Sequence, residues 1–383
     1  MTNKIPYLNR RGFNALLAAS FPAFCQGVST AKSSEADEPC SKQEIRLRDI
    51  LMWYQEGTSK SISSPDEWIQ KRQAITQILF QFLGAFPSSR AALDSHIKKE
   101  ERLNGYTRTK VEYYVEPDDK AQAYLLVPTN VTKPAPAVLA LHQTVPQGKD
   151  EPVGIAGKPN MYYGLELVER GYVVLAPDSI TAGERVYPGA APYVTAPFDA
   201  SHPNWSAMGK MLWDHMRGVD YLLALPVVDK KRIGVIGHSL GGYNAFFLAA
   251  FDERIKAAVS SCGLGTIAGA PNPFGWARKE WFVHFPKLRP YLEVGCTTPF
   301  DFHEVISLIA PRPFLSFSMK QDKIFPHWQG AIAAADQIRK IYSLWGAENA
   351  FRSVLKEGEH DFPSDSRVLA YEWIDQWLEH KSD

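Results

Sequence analysis

The sequence predicts an α/β protein: a mostly parallel sheet of eight strands flanked by helices, with an N-terminal helical extension and a cap insertion. Three observations carry this. Short apolar runs, "APAVLALH", "GYVVLAPD", "RIGVIG", "KAAVSSC", "RPFLSFS" and "FRSVLK", have the length and near-continuous hydrophobicity of strands buried on both faces. Helical patterns such as "MYYGLELVER", "WSAMGKMLWDHMRGVDYLLAL" and "GAIAAADQIRKIYSLW" lie between them, and that alternation produces a parallel sheet covered on both sides. Ahead of these, "TRTKVEYYVE" and "AQAYLLVP" alternate around Asp118-Asp119, which predicts an antiparallel hairpin and brings the strands to eight.

The chain is long enough for one large core, with 383 residues and 45% hydrophobic content. Its 42 basic and 42 acidic residues cancel, so no global field draws in nucleic acid or an anionic membrane, and a small neutral substrate fits better. No feature sets an oligomeric state.

Residues 1–31 read as an export signal. Lys4, Arg10 and Arg11 precede an apolar stretch from Phe13 to Phe24 that is too short to span a bilayer, and Ser29-Thr30-Ala31 offers small residues for cleavage. Asn9-Arg10-Arg11-Gly12-Phe13 is similar to a twin-arginine signal, which carries folded proteins. The mature protein is therefore expected in the periplasm or outside the cell, without membrane attachment; bulky Phe24 argues against a lipid anchor at Cys25. Cys40, Cys262 and Cys296 remain, enough for one bridge and too few for a disulfide framework. Neither cysteines nor histidines stand at a metal-ligand spacing, so no metal is expected. Residues 32–104 contain two helical patterns, "SKQEIRLRDILMWYQ" and "SPDEWIQKRQAITQILFQFLGAF", the second opened by Ser64-Pro65. Residues 105–383 form the α/β domain.

In open α/β sheets ligands bind beyond the carboxyl ends of the strands, so the residues after each run matter most. After "RIGVIG" comes Gly-His-Ser-Leu-Gly-Gly, a strand-turn-helix whose glycines permit a turn tight enough to push Ser239 outward. The Leu240 amide then opens the helix, aimed to stabilise an oxyanion. A serine hydroxyl is a weak nucleophile and needs a base and an orienting acid, in the chain order Ser, Asp, His. Asp322 follows "RPFLSFS" and His360 follows "FRSVLK", each in a loop after a late strand. Asp361 and Asp301 are rival acids; a sequence neighbour of the histidine points away from it, and Asp301 precedes its strand.

The motifs "GHSLGG", "DKIFP" and "GEHDF", with "LHQT" and "RGYVVLAPD", resemble the α/β-hydrolase superfamily over about residues 105 to 383. Within it, "LHQTVPQGKDEPVG", "LPVVDKKRIGVIGHSLGG" and "FDFHEVISLIAPRPFL" are similar to the dienelactone-hydrolase and acetyl-xylan-esterase-like branch. Dienelactone hydrolases proper use cysteine where this chain has Ser239, so lactone chemistry is not implied. The resemblance implies a second oxyanion donor in His142-Gln143-Thr144, at the Thr144 amide with Gln143 as the alternative. It needs no cofactor.

The excursion 263–304 is too long for a connector and is expected to form a cap. Trp276 and Trp281 stand there to stack on a sugar or aromatic acyl group, or else to pack the cap on the core. Gln143 is also expected to contact substrate, and Glu184 and Arg185, near the strand ends, bind substrate or pair with each other. The reading that follows is a serine carboxylesterase removing short acyl groups from carbohydrate or related esters. The alternatives are a feruloyl-type esterase, a peptidase of the prolyl-oligopeptidase kind and a silent binding protein, the last disfavoured because Ser239, Asp322 and His360 are all present.

Overall fold

The computed structural model describes residues 47–55 and 58–381; the expected export signal lies outside the described residues, as does part of the first expected helix. What is described of that helix is instead a hairpin, β1 (Met52–Gln55) against β2 (Thr58–Ser61). Trp53 and Tyr54 favour an extended chain, and the buried Lys71 ammonium donates to the carbonyls of Ile50 (2.6 Å) and Met52 (2.8 Å), which a helix would have used internally. The second pattern is helical as expected: α1 (Pro65–Leu83) starts at Ser64, whose hydroxyl accepts from the Glu67 amide, and stops at left-handed Gly84.

The main sheet has nine strands, one more than expected. They are β3 (His96–Arg102), β4 (Tyr106–Glu116), β5 (Asp119–Pro128), β6 (Ala135–Leu141), β7 (Val173–Pro177), β8 (Val228–His238), β9 (Ile255–Ser261), β10 (Phe314–Met319) and β11 (Phe351–Lys356). Their order is β11-β10-β9-β8-β6-β7-β5-β4-β3. The six strands from β6 to β11 run parallel, and β5, β4 and β3 continue the sheet antiparallel. The unforeseen strand, "HIKKEER", is an exposed edge whose charges discourage pairing with another chain and erase the alternation that would betray it. It lies before residue 105, so the sheet begins inside the expected helical extension.

Helices α2 (Tyr163–Glu169), α3 (Ala196–Ser201), α4 (Ala207–Ala224), α5 (Leu240–Phe251), α6 (Arg289–Glu293), α7 (Phe302–Ser307), α8 (Trp328–Leu344) and α9 (Ser364–Trp377) complete the chain. Successive residues of a strand face opposite ways. Leu139, Leu175, Val235 and Ala258 therefore join one apolar layer with α1, α4, α5 and α8, while Val138, Val174, Ile236 and Val259 join a second with α2 and α9. Trp68 and Leu79 of α1 sit in the first layer, so the N-terminal segment shares the sheet's core.

The 263–304 segment is pinned to that same layer by Trp276, Phe282, Phe285, Leu288 and Phe300. Asp301 holds its end. Its carboxylate caps α7 within a capping box with Glu304 and also accepts from the Ile267 and Ala268 amides, each at 2.9 Å. Asp301→Ala leaves those buried donors unpaired and removes the cap, so urea unfolding is expected to show a loss of about 2–4 kcal/mol.

Candidate active site

β8 ends at His238 and α5 begins at Leu240, leaving Ser239 alone to reverse the chain at φ 54°, ψ −115°. A non-glycine residue held there costs on the order of 1–3 kcal/mol. The flanking glycines make it possible: a Cβ on Gly237 would stand 2.2 Å from the Gly241 carbonyl oxygen, and one on Gly241 would stand 1.8 Å from that of Leu141. The Ser239 amide donates to the Ser261 carbonyl (2.8 Å), tying the turn to β9. As the first residue of a 12-residue helix, Leu240 has an N–H with no intrahelical acceptor.

Asp322 and His360 meet beyond the ends of β10 and β11. Asp322 Oδ1 accepts from the amides of Ile324 (2.7 Å) and Phe325 (2.8 Å), and Oδ2 lies 2.7 Å from His360 Nδ1. A carboxylate only accepts, so Nδ1 carries a proton, and in the neutral ring Nε2 is the nitrogen with the lone pair. Burial alone would raise the Asp322 carboxyl, but the His360 hydrogen bond and charge and the two backbone donors hold it below the usual range. Both rival acids are engaged elsewhere. Asp361 accepts from Asn160 Nδ2 at 2.6 Å, and Asp301 caps α7.

His238, which sequence reasoning passed over, lies fully buried with its ring 4.7 Å from that of His360 and its Nδ1 3.0 Å from Ser261 Oγ. Burial, then the neighbouring His360, push its imidazole well below the ordinary value, so it stays neutral. Cys262 is a buried free thiol with Sγ 3.6 Å from the Asp361 carbonyl, so it forms no bridge with Cys296. No metal-ligand spacing exists in the sequence, yet the fold gathers donor atoms of His238, Cys262 and His360 within 4.8 Å of one another, at a place where Asp322 already holds His360. A cleft of about 620 Å³ opens beside His360, lined among others by Lys158, Asn160, Glu357 and Glu359.

The His142-Gln143-Thr144 turn follows β6. His142 is buried and neutral, desolvation outweighing the pull of Asp178; its Nε2 accepts from the Ser179 amide (3.0 Å) and its Nδ1 donates to the Gln143 carbonyl (2.7 Å). The Gln143 side chain donates to Glu151 (2.8 Å) and thus serves the turn, whereas Thr144 is exposed at its tip.

The other expected contacts are placed differently. Glu184 and Arg185 do not pair with each other: Glu184 binds Lys149 (2.6 Å) and Lys110 (2.7 Å), while buried Arg185 binds Asp214 (2.6 Å) and Asp119 (2.5 Å). Two adjacent residues in a short turn project apart, and each met its counter-ion on a different element. Trp276 is buried against Phe302 and Tyr243, packing the cap as the blander expectation had it, whereas Trp281 is 44% exposed. Among the described residues no helix is long and apolar enough to cross a membrane.

A mostly parallel sheet flanked by helices, with a serine on a strained turn after one strand and an aspartate–histidine pair after two later ones, defines an α/β-hydrolase. The chain belongs to the Abhydrolase family, whose model matches residues 56–339. YtaP of Bacillus subtilis (strain 168), named as a hydrolase, is 29% identical over 304 residues, covering 78% of this chain and 97% of that protein. Carbohydrate esterase MZ0003, from an unknown prokaryotic organism, is 29% identical over 185 residues, 44% of this chain and 42% of its own. Among solved structures, a glucuronoyl esterase from Solibacter usitatus superposes with a TM-score of 0.65 at 20% identity, covering 87% of this chain and 98% of that one, a likeness of fold.

Gly241→Ala tests the turn directly. The added methyl meets backbone rather than a movable side chain, so a stability loss of at least about 3 kcal/mol is expected by thermal or urea unfolding.

Proposed function

We propose that the chain is a serine carboxylesterase that hydrolyses carbohydrate esters through an acyl-enzyme, with Ser239 as nucleophile, His360 as base and Asp322 as the group that orients it. The observation that carries this reading is Ser239 on a left-handed turn after β8, in the same parallel sheet whose strands β10 and β11 bring His360 Nδ1 to 2.7 Å from Asp322. Strain of that kind is retained where a side chain must project from the sheet.

In the proposed cycle His360 Nε2 takes the Ser239 proton, the oxygen attacks the ester carbonyl, and Asp322 stabilises the imidazolium. The amides of Leu240 and Thr144 receive the oxyanion charge. The alcohol leaves with the proton held by His360, and water then repeats the steps on the acyl-enzyme. The relatives named as carbohydrate or glucuronoyl esterases support a carbohydrate ester substrate. The zero net charge and the export reading of residues 1–31 favour a neutral polymer fragment met outside the cytoplasm. The exposure of Trp281, whose ring carries the Arg278 guanidinium at 4.8 Å, supports stacking on a sugar or aromatic ring, and we put short acyl groups ahead of aromatic ones because buried Trp276 gives no second platform.

Ser239→Ala is expected to fold with a wild-type circular dichroism spectrum and to lose kcat by about 10³-fold or more; near-full turnover would remove the serine from the mechanism. Asp322→Asn is expected to keep KM while losing about 10³–10⁴-fold in kcat, because the imidazole then adopts the wrong tautomer. Acidification that protonates His360 removes the base, so kcat/KM is expected to fall at low pH, and a profile flat from about pH 5 to 9 would rule out a histidine base. A panel of acetylated xylo-oligosaccharide, glucuronoyl ester, feruloylated oligosaccharide and proline-containing peptide amide orders the substrates, and cleavage of the peptide alone would replace the esterase reading with a peptidase.

A further inference from the structure

Tyr193 stands in the loop between β7 and α3 and takes part in no step above, yet its hydroxyl sits against the turn after β6. The Val145 amide donates to it at 2.8 Å, and it lies 2.8 Å from the Val145 carbonyl and 3.2 Å from that of Gln143. One hydroxyl thus receives one hydrogen bond from the turn and returns its own proton to it, bracketing Thr144 on both sides. Burial raises the Tyr193 phenol far above its ordinary value, so it remains a donor at any working pH.

The same residue is gripped from the cap. Tyr193 is 3% exposed, with its ring 5.0 Å from that of Phe282 and 6.4 Å from that of Trp281. Beside it, the Thr195 amide donates to the Trp281 carbonyl (3.0 Å), the Val283 amide donates to Thr195 Oγ1 (3.3 Å), and the Trp281 indole donates to the Pro192 carbonyl (3.2 Å). Thr181, Tyr193 and Trp281 all hold left-handed backbones, at φ 66°, 65° and 62°, and the Tyr193 amide donates to the Thr181 carbonyl (2.7 Å). Non-glycine residues in that region are strained and persist only where the surroundings impose them, here through the Tyr193–Thr181 bond and the bonds that join Pro192 and Thr195 to Trp281. Packing the cap alone does not require a phenol hydroxyl aimed at a turn on another loop.

We propose that Tyr193 is a positioning residue that sets the oxyanion turn and links it to the Trp281 side of the cap. A group seated against Trp281 thereby bears on the donor that receives the developing charge, which couples substrate choice to turnover. The inference rests on the reading of Thr144 as an oxyanion donor.

Tyr193→Phe keeps the ring in its packing and deletes only the bracket. The expected result is a kcat lower by about 10- to 100-fold with KM changed less than about threefold, because a misaimed donor weakens the transition state and spares ground-state binding. A boronate or trifluoromethyl ketone that mimics the tetrahedral intermediate is expected to bind more weakly by the same factor. Thr195→Val, which removes the Thr195 Oγ1 bonds to the Val283 amide and the Trp281 carbonyl and keeps the Tyr193 hydroxyl, is expected to lose kcat in the same direction by a smaller factor, and it keeps the test open if the phenylalanine variant folds poorly. Unchanged kcat in both variants beside an inactive Ser239→Ala overturns the Tyr193 proposal alone. So does a loss confined to KM. Wild-type activity in Ser239→Ala as well overturns the serine mechanism on which the proposal stands.

Discussion

The site depends on a backbone contact from which side chains are excluded. The first turn of α5 lies directly on the ends of β6 and β9. Gly241 faces the Leu141 carbonyl, and a Cβ on Gly242 would stand 2.7 Å from that of Ser261. With no side chain between them, helix and strands cannot slide relative to each other, since interiors packed at this density do not deform continuously. The position of Ser239, the direction of the Leu240 amide and the start of the His142 turn are all set by that contact. The Tyr163 hydroxyl donates to the same Leu141 carbonyl, so α2 reads the junction from the other face of the sheet.

Much of this was legible in the chain. Ser239 and Asp322 follow buried runs and His360 follows the part-buried edge strand β11, and the ligand site of such sheets lies beyond the carboxyl ends of the strands, so position after a strand translates into spatial proximity. The eight expected strands are all present, and residues 263–304 run between β9 and β10. What escaped depends on partners far away in sequence. The hairpin at 52–61 exists because Lys71 reaches back to two carbonyls, and nothing in "LMWYQ" announces that lysine. Trp276 and Trp281 are indistinguishable as letters, yet one found a buried slot against Phe302 and the other did not. Gln143 looked like a substrate contact because of its place in the motif, and Glu151, which claims its side chain, carries no signal of its own.

Charge is divided within the molecule in a way that composition conceals. On the β5 and β7 side, Lys149, Arg185 and Lys210 are buried with Asp178 and Asp214, and part-exposed Asp119 and Glu184 join them, so that each cation contacts more than one carboxylate. Such clusters remain tolerable only while every member is paired; removing one partner strands a buried charge, at a typical cost of about 3–5 kcal/mol. Net zero charge over 383 residues is therefore compatible with intense local fields, kept on the side of the sheet away from Asp322 and His360.

Around the serine the opposite holds, and the arrangement has a mechanistic use. His142, His238 and His284 are all buried, and burial holds each below the ordinary histidine value, His284 to about 3. These imidazoles are neutral fillers that accept and donate without carrying charge. The point is sharpest at His238, 4.7 Å from His360 between ring centres. In the proposed cycle His360 becomes an imidazolium, and a second positive charge at that distance would oppose it by about 3–4 kcal/mol at an effective dielectric constant of about 20. A cost of that size would slow acylation by more than about 100-fold. Keeping His238 buried at the end of β8, away from water, removes the opposition and leaves the Asp322 carboxylate as the charge that the imidazolium meets. In that cycle the residue before the proposed nucleophile contributes by what its burial prevents.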